Sequence, residues 1–217
     1  MNYGILEKRH GKHGMINLLG LIVEDLNMEF AFEKTEIEGL VIIKPHMYPD
    51  DRGLYKKCYE KNIFKQNGID IEFTETSDIY SDKGALRGLH YQTVESQAKL
   101  IHVISGVLFD VALDLRDNSK TYGKYHAELL NAEENKVLFI PEGFAHGFIS
   151  LTDKTVFSYQ CSGRYIPEAC GGIRWDDPEM KIPWPLKEFD IDRVITTEKD
   201  RNWPTLEQYI TDHNKNK

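Results

Sequence analysis

Arg87, His90 and Lys99 fall in segments that otherwise read as β-strand: Gly84-Ala85-Leu86-Arg87-Gly88-Leu89-His90-Tyr91-Gln92 and Gln97-Ala98-Lys99-Leu100. A guanidinium, an imidazole and an ammonium are poor choices for a sheet core. Burying a polar group without a partner costs roughly 2–7 kcal/mol, and a charge costs more. Strand positions that accept such a cost usually face a ligand. A lone histidine would read as a hydrogen-bonded core or edge residue, but His90 has Arg87 three positions before it and Lys99 on the next strand-like segment. In a regular strand Arg87 and His90 face opposite sides of the sheet. A bulge at Gly88 brings both to one side. A second imidazole stands in Pro141-Glu142-Gly143-Phe144-Ala145-His146-Gly147-Phe148, where Pro-x-Gly-x-x-His gives a tight turn that aims His146 inward at the start of a strand.

The elements that position these groups are mostly strands. Val107, Phe109, Val111, Leu113 and Leu115 alternate with Leu108, Asp110, Ala112, Asp114 and Arg116, a period of two and the clearest strand pattern in the chain. Lys124–Leu130, Lys136–Ile140, Phe148–Leu151 and Lys154–Cys161 follow, separated by short polar turns. Upstream, strands are expected at Glu29–Phe32, Gly39–Ile43 and Asp70–Thr76, with a turn at Asp50-Asp51-Arg52-Gly53. Tyr55, Tyr59, Ile63 and Phe64 recur at helical spacing, which predicts a helix over Tyr55–Lys65 stopped by Asn67-Gly68. Pro204–Asp212 reads as a terminal helix. Many short strands without intervening helices indicate a sandwich or barrel.

The chain of 217 residues fits a single domain with a full core. Residues 28–217 read as that domain, and residues 1–27 as an N-terminal extension. The net charge of -8 argues against nucleic acid as a partner, but not against a small anion held by a local Arg/Lys cluster. Cys58, Cys161 and Cys170 are few, odd in number and lack CxxC spacing. That argues against a disulfide framework or a structural zinc site and makes a reducing cytoplasm the default. No apolar run reaches the roughly 18 residues needed to span a bilayer. Met15–Val23 is apolar but short, and is followed by Glu24 and Asp25. It reads as a short helix or a disordered leader.

Gly84, five residues and then His90, followed later by Pro141-x-Gly143-x-x-His146, resembles the two-motif pattern of cupins. The resemblance implies a mainly β, jelly-roll barrel with a few short peripheral helices. Metal-binding cupins carry His-x-His in the first motif; here the second position is Gln92, and Glu95 is too close to it for the usual spacing. Neutral Gln is a weak ligand for a divalent metal, so no metal or other cofactor is expected.

A more specific resemblance covers Arg87-Gly88-Leu89-His90-Tyr91-Gln92, Lys99-Leu100, Phe109-Asp110-Val111-Ala112, Ile140 through Phe148, and Trp175-Asp176-Asp177-Pro178. In order, from about Met28 to about Asp200, these segments are similar to the dTDP-4-dehydrorhamnose 3,5-epimerase family. What the family implies is a metal-free cupin, usually a homodimer, that inverts C3 and C5 of a nucleotide-linked 4-keto-6-deoxyhexose. Such chemistry needs a base, a group to hold the enolate oxygen, and an acid on the opposite face. His90 suits the base and Lys99 the oxygen, a contribution of about 3–4 kcal/mol. Asp110 is expected to pair with Lys99. By resemblance Asp200 orients His90, and Tyr159 is the proton donor; without the resemblance, Asp200 reads as a surface acid and Tyr159 as a core residue. Arg52, Arg87, His146 and Lys199 would bind sugar and diphosphate, and Tyr165 and Ser77 also align with substrate-binding positions.

Three positions depart from the family. Lys57 stands where a glutamate is usual, Glu75-Thr76-Ser77 replaces Gln-Asp-Asn, and Cys170 replaces an acid before Gly171. All lie on the ligand-anchoring side. They leave open the nucleotide and whether C3, C5 or both are inverted. The competing readings are a mono-epimerase on another nucleotide sugar, a non-catalytic sugar-binding cupin and a metal-dependent one.

Overall fold

β-Branched and aromatic residues at every second position make Val107–Asp114 a strand, yet both of its faces are buried. Leu108 and Ala112 point into one core cluster, while Val111 and Leu113 point into another. Such a strand needs a second sheet on one side and a covering layer on the other. The structure, a computed structural model, describes residues 29–215 and supplies both. The extension over residues 1–27 and its Met15–Val23 run lie outside the described residues.

Two antiparallel sheets face each other in a jelly-roll arrangement. Their strands are β1 (Phe30–Lys34), β2 (Val41–Pro45), β5 (Phe73–Ser81), β6 (Leu86–Gln92), β7 (Lys99–Ser105), β8 (Val107–Asp114), β9 (Tyr125–Asn131), β10 (Val137–Ile140), β11 (Phe144–Ser150), β12 (Thr155–Ser162) and β13 (Cys170–Gly172). One sheet runs β1-β2-β10-β7-β12-β5, the other β13-β6-β11-β8-β9. Ile101, Leu138 and Phe157 from the first meet Leu108, Phe144 and Phe148 from the second to form the central core. Full burial of each such side chain contributes about 1.5–3 kcal/mol. β3 (Met47–Asp50) and β4 (Gly53–Lys56) form a separate hairpin around the expected turn.

The helix expected over Tyr55–Lys65 is shorter. Tyr55 belongs to β4, opposite Tyr48, and α1 spans only Lys61–Gln66. The Glu60 carboxylate accepts from Ile63 N and fixes its start. Ile63 and Phe64 close the outer face of the larger sheet against Phe30, Leu100 and Phe139. The strand expected at Asp70–Thr76 begins later and runs further, through Ser81, because it pairs along the whole of β12. The unanticipated elements include the short strand β13 and α2 (Glu198–Arg201), a single turn capped by Thr197. The terminal helix, α3, spans Leu206–Lys215. Among the described residues no helix is long and apolar enough to cross a membrane.

Candidate active site

β6 carries the bulge that the Arg87–His90 spacing requires. His146 on β11 stands opposite His90 and Phe148 opposite Arg87, so three steps along β6 match two along β11. Both Arg87 and His90 therefore line one cavity, while Leu89 faces the outer layer. Gly88 makes this possible: φ is +125°, and a Cβ there would meet the Cα of Gly147 and lie 2.8 Å from the His146 carbonyl oxygen.

The cavity between the sheets has a volume of about 560 Å³. From the smaller sheet and the segment beside it come Arg87, His90, His146, Lys199 and Asp200; from the larger sheet come Ser77, Lys99 and Tyr159; Tyr165 lies at the rim. Of the residues expected at the site, only Arg52 is not among those lining it. Its side chain is 90% exposed on the β3–β4 hairpin, held to Asp50, with exposed Met47, Tyr48, Leu54 and Tyr55 nearby.

Asp200 is not a surface acid. Only 3% of it is exposed, and its Oδ1 lies 2.6 Å from His90 Nε2 and 3.2 Å from Trp203 Nε1. Burial pushes its carboxyl up, but the hydrogen bonds from His90, Thr197 and Trp203 prevail and hold it below the ordinary carboxylate value. An ionised Asp200 only accepts, so the proton between the two groups sits on His90 Nε2. One signal for this arrangement was present in the sequence: Thr197-x-x-Asp200, a helix-capping pattern.

A second pair lies deeper. His146 Nε2 is 2.9 and 3.0 Å from the two carboxylate oxygens of Asp110, and both side chains are buried. The expected Asp110–Lys99 pair does not form. Asp110 stands opposite Phe148 on β11, so His146, two residues along the same face, is its diagonal neighbour. Lys99 belongs to the other sheet, where its Nζ donates to the Gln97 carbonyl oxygen at 3.2 Å. Burial lowers the pKa of the Lys99 ammonium, partly opposed by Cys161, Cys170 and Asp110. Tyr159 stacks on His146, with centroids 5.7 Å apart and ring planes at 23°. Burial pushes the Tyr159 phenol well up, so it carries its proton at neutral pH.

The departures have local explanations. Gln92 ties two loops, donating to the Glu95 and Arg164 carbonyl oxygens and accepting from Ile166 N. Lys57 pairs with Glu29 at 2.9 Å. Glu75 accepts from the backbone N of Tyr165. Cys170 and Tyr165 both line the cavity.

Residues 34–208 match the family model described as dTDP-4-dehydrorhamnose 3,5-epimerase. A protein of that name from Methanothermobacter thermautotrophicus is 46% identical over 180 residues, covering 83% of this chain and 96% of the relative. The crystal structure of a dTDP-6-deoxy-D-glucose-3,5-epimerase from Legionella pneumophila in complex with dTDP-4-keto-L-rhamnose is also similar. Its TM-score is 0.78 at 36% identity, over 82% of this chain and 93% of that one. A 3'-monoepimerase from Streptomyces bikiniensis in complex with dTDP-quinovose superposes with a TM-score of 0.77 at 30% identity, over 83% and 90%.

Proposed function

Because the chain belongs to the dTDP-4-dehydrorhamnose 3,5-epimerase family of isomerases, we propose that the cavity takes a dTDP-linked 4-keto-6-deoxyhexose and inverts it through an enolate. The observation that carries the mechanism is the origin of two side chains. His90 rises from one sheet and Tyr159 from the other, and both line the same cavity. Inversion needs a base and an acid on opposite faces of the ring. His90 takes the proton from the carbon beside the ketone, using the ring nitrogen that Asp200 does not hold. Asp200 positions the ring and stabilises the imidazolium that forms. Lys99 meets the negative charge developing on the ketone oxygen, and a desolvated ammonium does this better than a hydrated one. Tyr159 returns a proton from the other side. Arg87 and Lys199 serve the diphosphate, and Ser77, His146 and Tyr165 the rest of the substrate.

No metal or other cofactor is assigned a role. Residues 28–217 act as one epimerase domain, with residues 1–27 as an extension outside its chemistry. Its place is the cytoplasm, a reading supported by free thiols at Cys58, Cys161 and Cys170. The working unit is a homodimer. Arg52 lies outside its own cavity on a hairpin with exposed apolar residues, which suits a partner's site. Mixing inactive Arg52→Ala and His90→Ala dimers would then restore one complete site per heterodimer. Activity that stays absent after subunit exchange overturns the shared site.

The primary test follows deuterium from D₂O into 4-keto-6-deoxy sugars linked to dTDP, CDP or GDP, read by NMR. Exchange at C3 and C5 of the dTDP sugar, abolished by His90→Ala, is expected. Exchange at C3 alone would favour the mono-epimerase reading, which the likeness to the Streptomyces enzyme motivates. No exchange on any of the three overturns the epimerase reading, and full exchange in His90→Ala removes His90 as the base.

A further inference from the structure

Trp203 touches two groups of the proposed chemistry without itself lining the cavity. Its indole Nε1 donates to Asp200 Oδ1 at 3.2 Å, the same oxygen that lies 2.6 Å from His90 Nε2. The Lys199 ammonium stands over the indole, 5.1 Å from the ring centroid. The His90 ring meets it at 73°, with centroids 6.4 Å apart. The backbone around Trp203 is arranged to admit this ring. β13 pairs with β6 so that Gly172 stands opposite His90, and a Cβ on Gly172 would lie 2.6 Å from the indole Cδ1. Beside the ring, Arg174 N donates to the Pro204 carbonyl oxygen at 2.9 Å. Trp184, by contrast, gives its N–H to the backbone carbonyl of Trp175, a bond between two structural segments.

From this arrangement we infer that Trp203 is a positioning residue for the epimerase reaction: its N–H fixes the Asp200 carboxylate against His90, and its ring face holds Lys199 at the diphosphate end. An indole N–H only donates, so it keeps Oδ1 in place and takes a share of that oxygen's charge. With the donor removed, the full charge falls on the His90 N–H, and the imidazolium is held more firmly. A base held that way is protonated over more of the pH range and gives up its proton less readily. Trp203 therefore tempers Asp200 as well as orienting it. On its other side, the electron-rich face of the ring attracts the Lys199 ammonium and steadies a side chain with four rotatable bonds. The charged groups that line the cavity with His90, among them Arg87, Lys99, Glu75 and His146, stay the same when Trp203 is replaced. The inference rests on the reading of His90 as the base and Lys199 as a diphosphate contact.

The test compares wild type with Trp203→Phe, which keeps an aromatic ring and removes the donor. Histidine NMR in substrate-free protein, with the His90 signal identified by its loss in His90→Asn, gives the pH at which His90 is half-protonated. In Trp203→Phe that pH should rise by about half a unit or more, and the acid limb of the kcat/KM profile for deuterium exchange should move with it. Trp203→Leu removes the ring face as well, so its KM for the dTDP sugar should rise about threefold or more. Where Trp203→Phe fails to fold, β-(3-benzothienyl)alanine at position 203 makes the same measurement, because it keeps the bicyclic shape and replaces only the N–H by sulfur. Half-protonation of His90 at or below the wild-type pH in the donor-free variant overturns the inference, even if the melting temperature falls. An unchanged KM in Trp203→Leu overturns the link to Lys199. The titration needs no substrate, so its failure counts against Trp203, whereas unmodified protein that exchanges no deuterium counts against the epimerase reading.

Discussion

Replacing Asp200 with Asn tests the pairing on which the base depends. The variant keeps the side chain's shape but removes its charge. In the resting enzyme, Asp200 accepts from His90 Nε2 at 2.6 Å. When the ring takes a substrate proton, the same contact becomes an ion pair. Two unit charges about 4 Å apart at an effective dielectric constant of about 20 attract by about 4 kcal/mol. The Asp200 side chain is 4% exposed, but that of His90 is 42% exposed, so solvent screening reduces the figure to about 2–3 kcal/mol. This matches the usual worth of a hydrogen bond to a charged group, about 1.5–3 kcal/mol. The expected loss is therefore about 30- to 160-fold in the rate of deuterium exchange. It should fall on kcat, because Asp200 contacts His90 rather than the sugar. The assay is NMR exchange from D₂O at several substrate concentrations, with a thermal melt to show that the variant is folded. Exchange within threefold of wild type, or a loss confined to KM, would refute the role given to Asp200.

Tyr159→Phe removes a hydroxyl but no ring, so proton abstraction should continue while reprotonation from the opposite face fails. Product analysis should show epimerisation reduced more than exchange, and equal loss of both would count against the acid. Gly88→Ala puts a methyl group against Gly147 and the His146 carbonyl at a left-handed φ. It should cost about 2–3 kcal/mol, read as a fall of about 5–10 °C in Tm, together with loss of exchange. Asp114 is fully buried. Burial alone would raise its carboxyl, but Arg116, Ser119 and Thr121 bring it from 3.8 to about 2. Its folded pKa lies below the unfolded one, so its contribution of about 2 kcal/mol is complete above pH 4 and is lost as pH falls toward 2. Urea titrations at pH 6 and pH 2.5 should show that Asp114→Asn loses stability mainly at the higher pH; equal losses at both would remove the linkage.

The strands were legible where one physical rule dominated. Alternation identified Val107–Asp114, and Asp51-Arg52 supplied the hairpin turn. The spacing of Arg87 and His90 required a bulge, which β6 contains. Reading failed where distant contacts decide. Tyr55 has helical spacing with Tyr59, but pairing with Tyr48 makes it strand. Asp200 lies 110 residues from His90 in sequence, and although Thr197-x-x-Asp200 marks a helical turn, nothing local says which side chain that turn meets. Asp110 was assigned to Lys99 on charge alone, whereas sheet register gives it to His146. The resemblance brought Asp200 and Tyr159 to notice; composition and periodicity would have left both in bland roles.

The bulge at Gly88 acts on the pleat as a frameshift acts on a reading frame. Before it, one set of alternate side chains on β6 faces the cavity; after it, the other set does. Substitutions change what a position carries but not the phase in which it is displayed. Only adding or removing a residue between Arg87 and His90 resets that phase, and it would turn the imidazole and the guanidinium to opposite sides at once. The length of this segment is therefore itself a functional quantity. An insertion here should be as damaging as loss of the base.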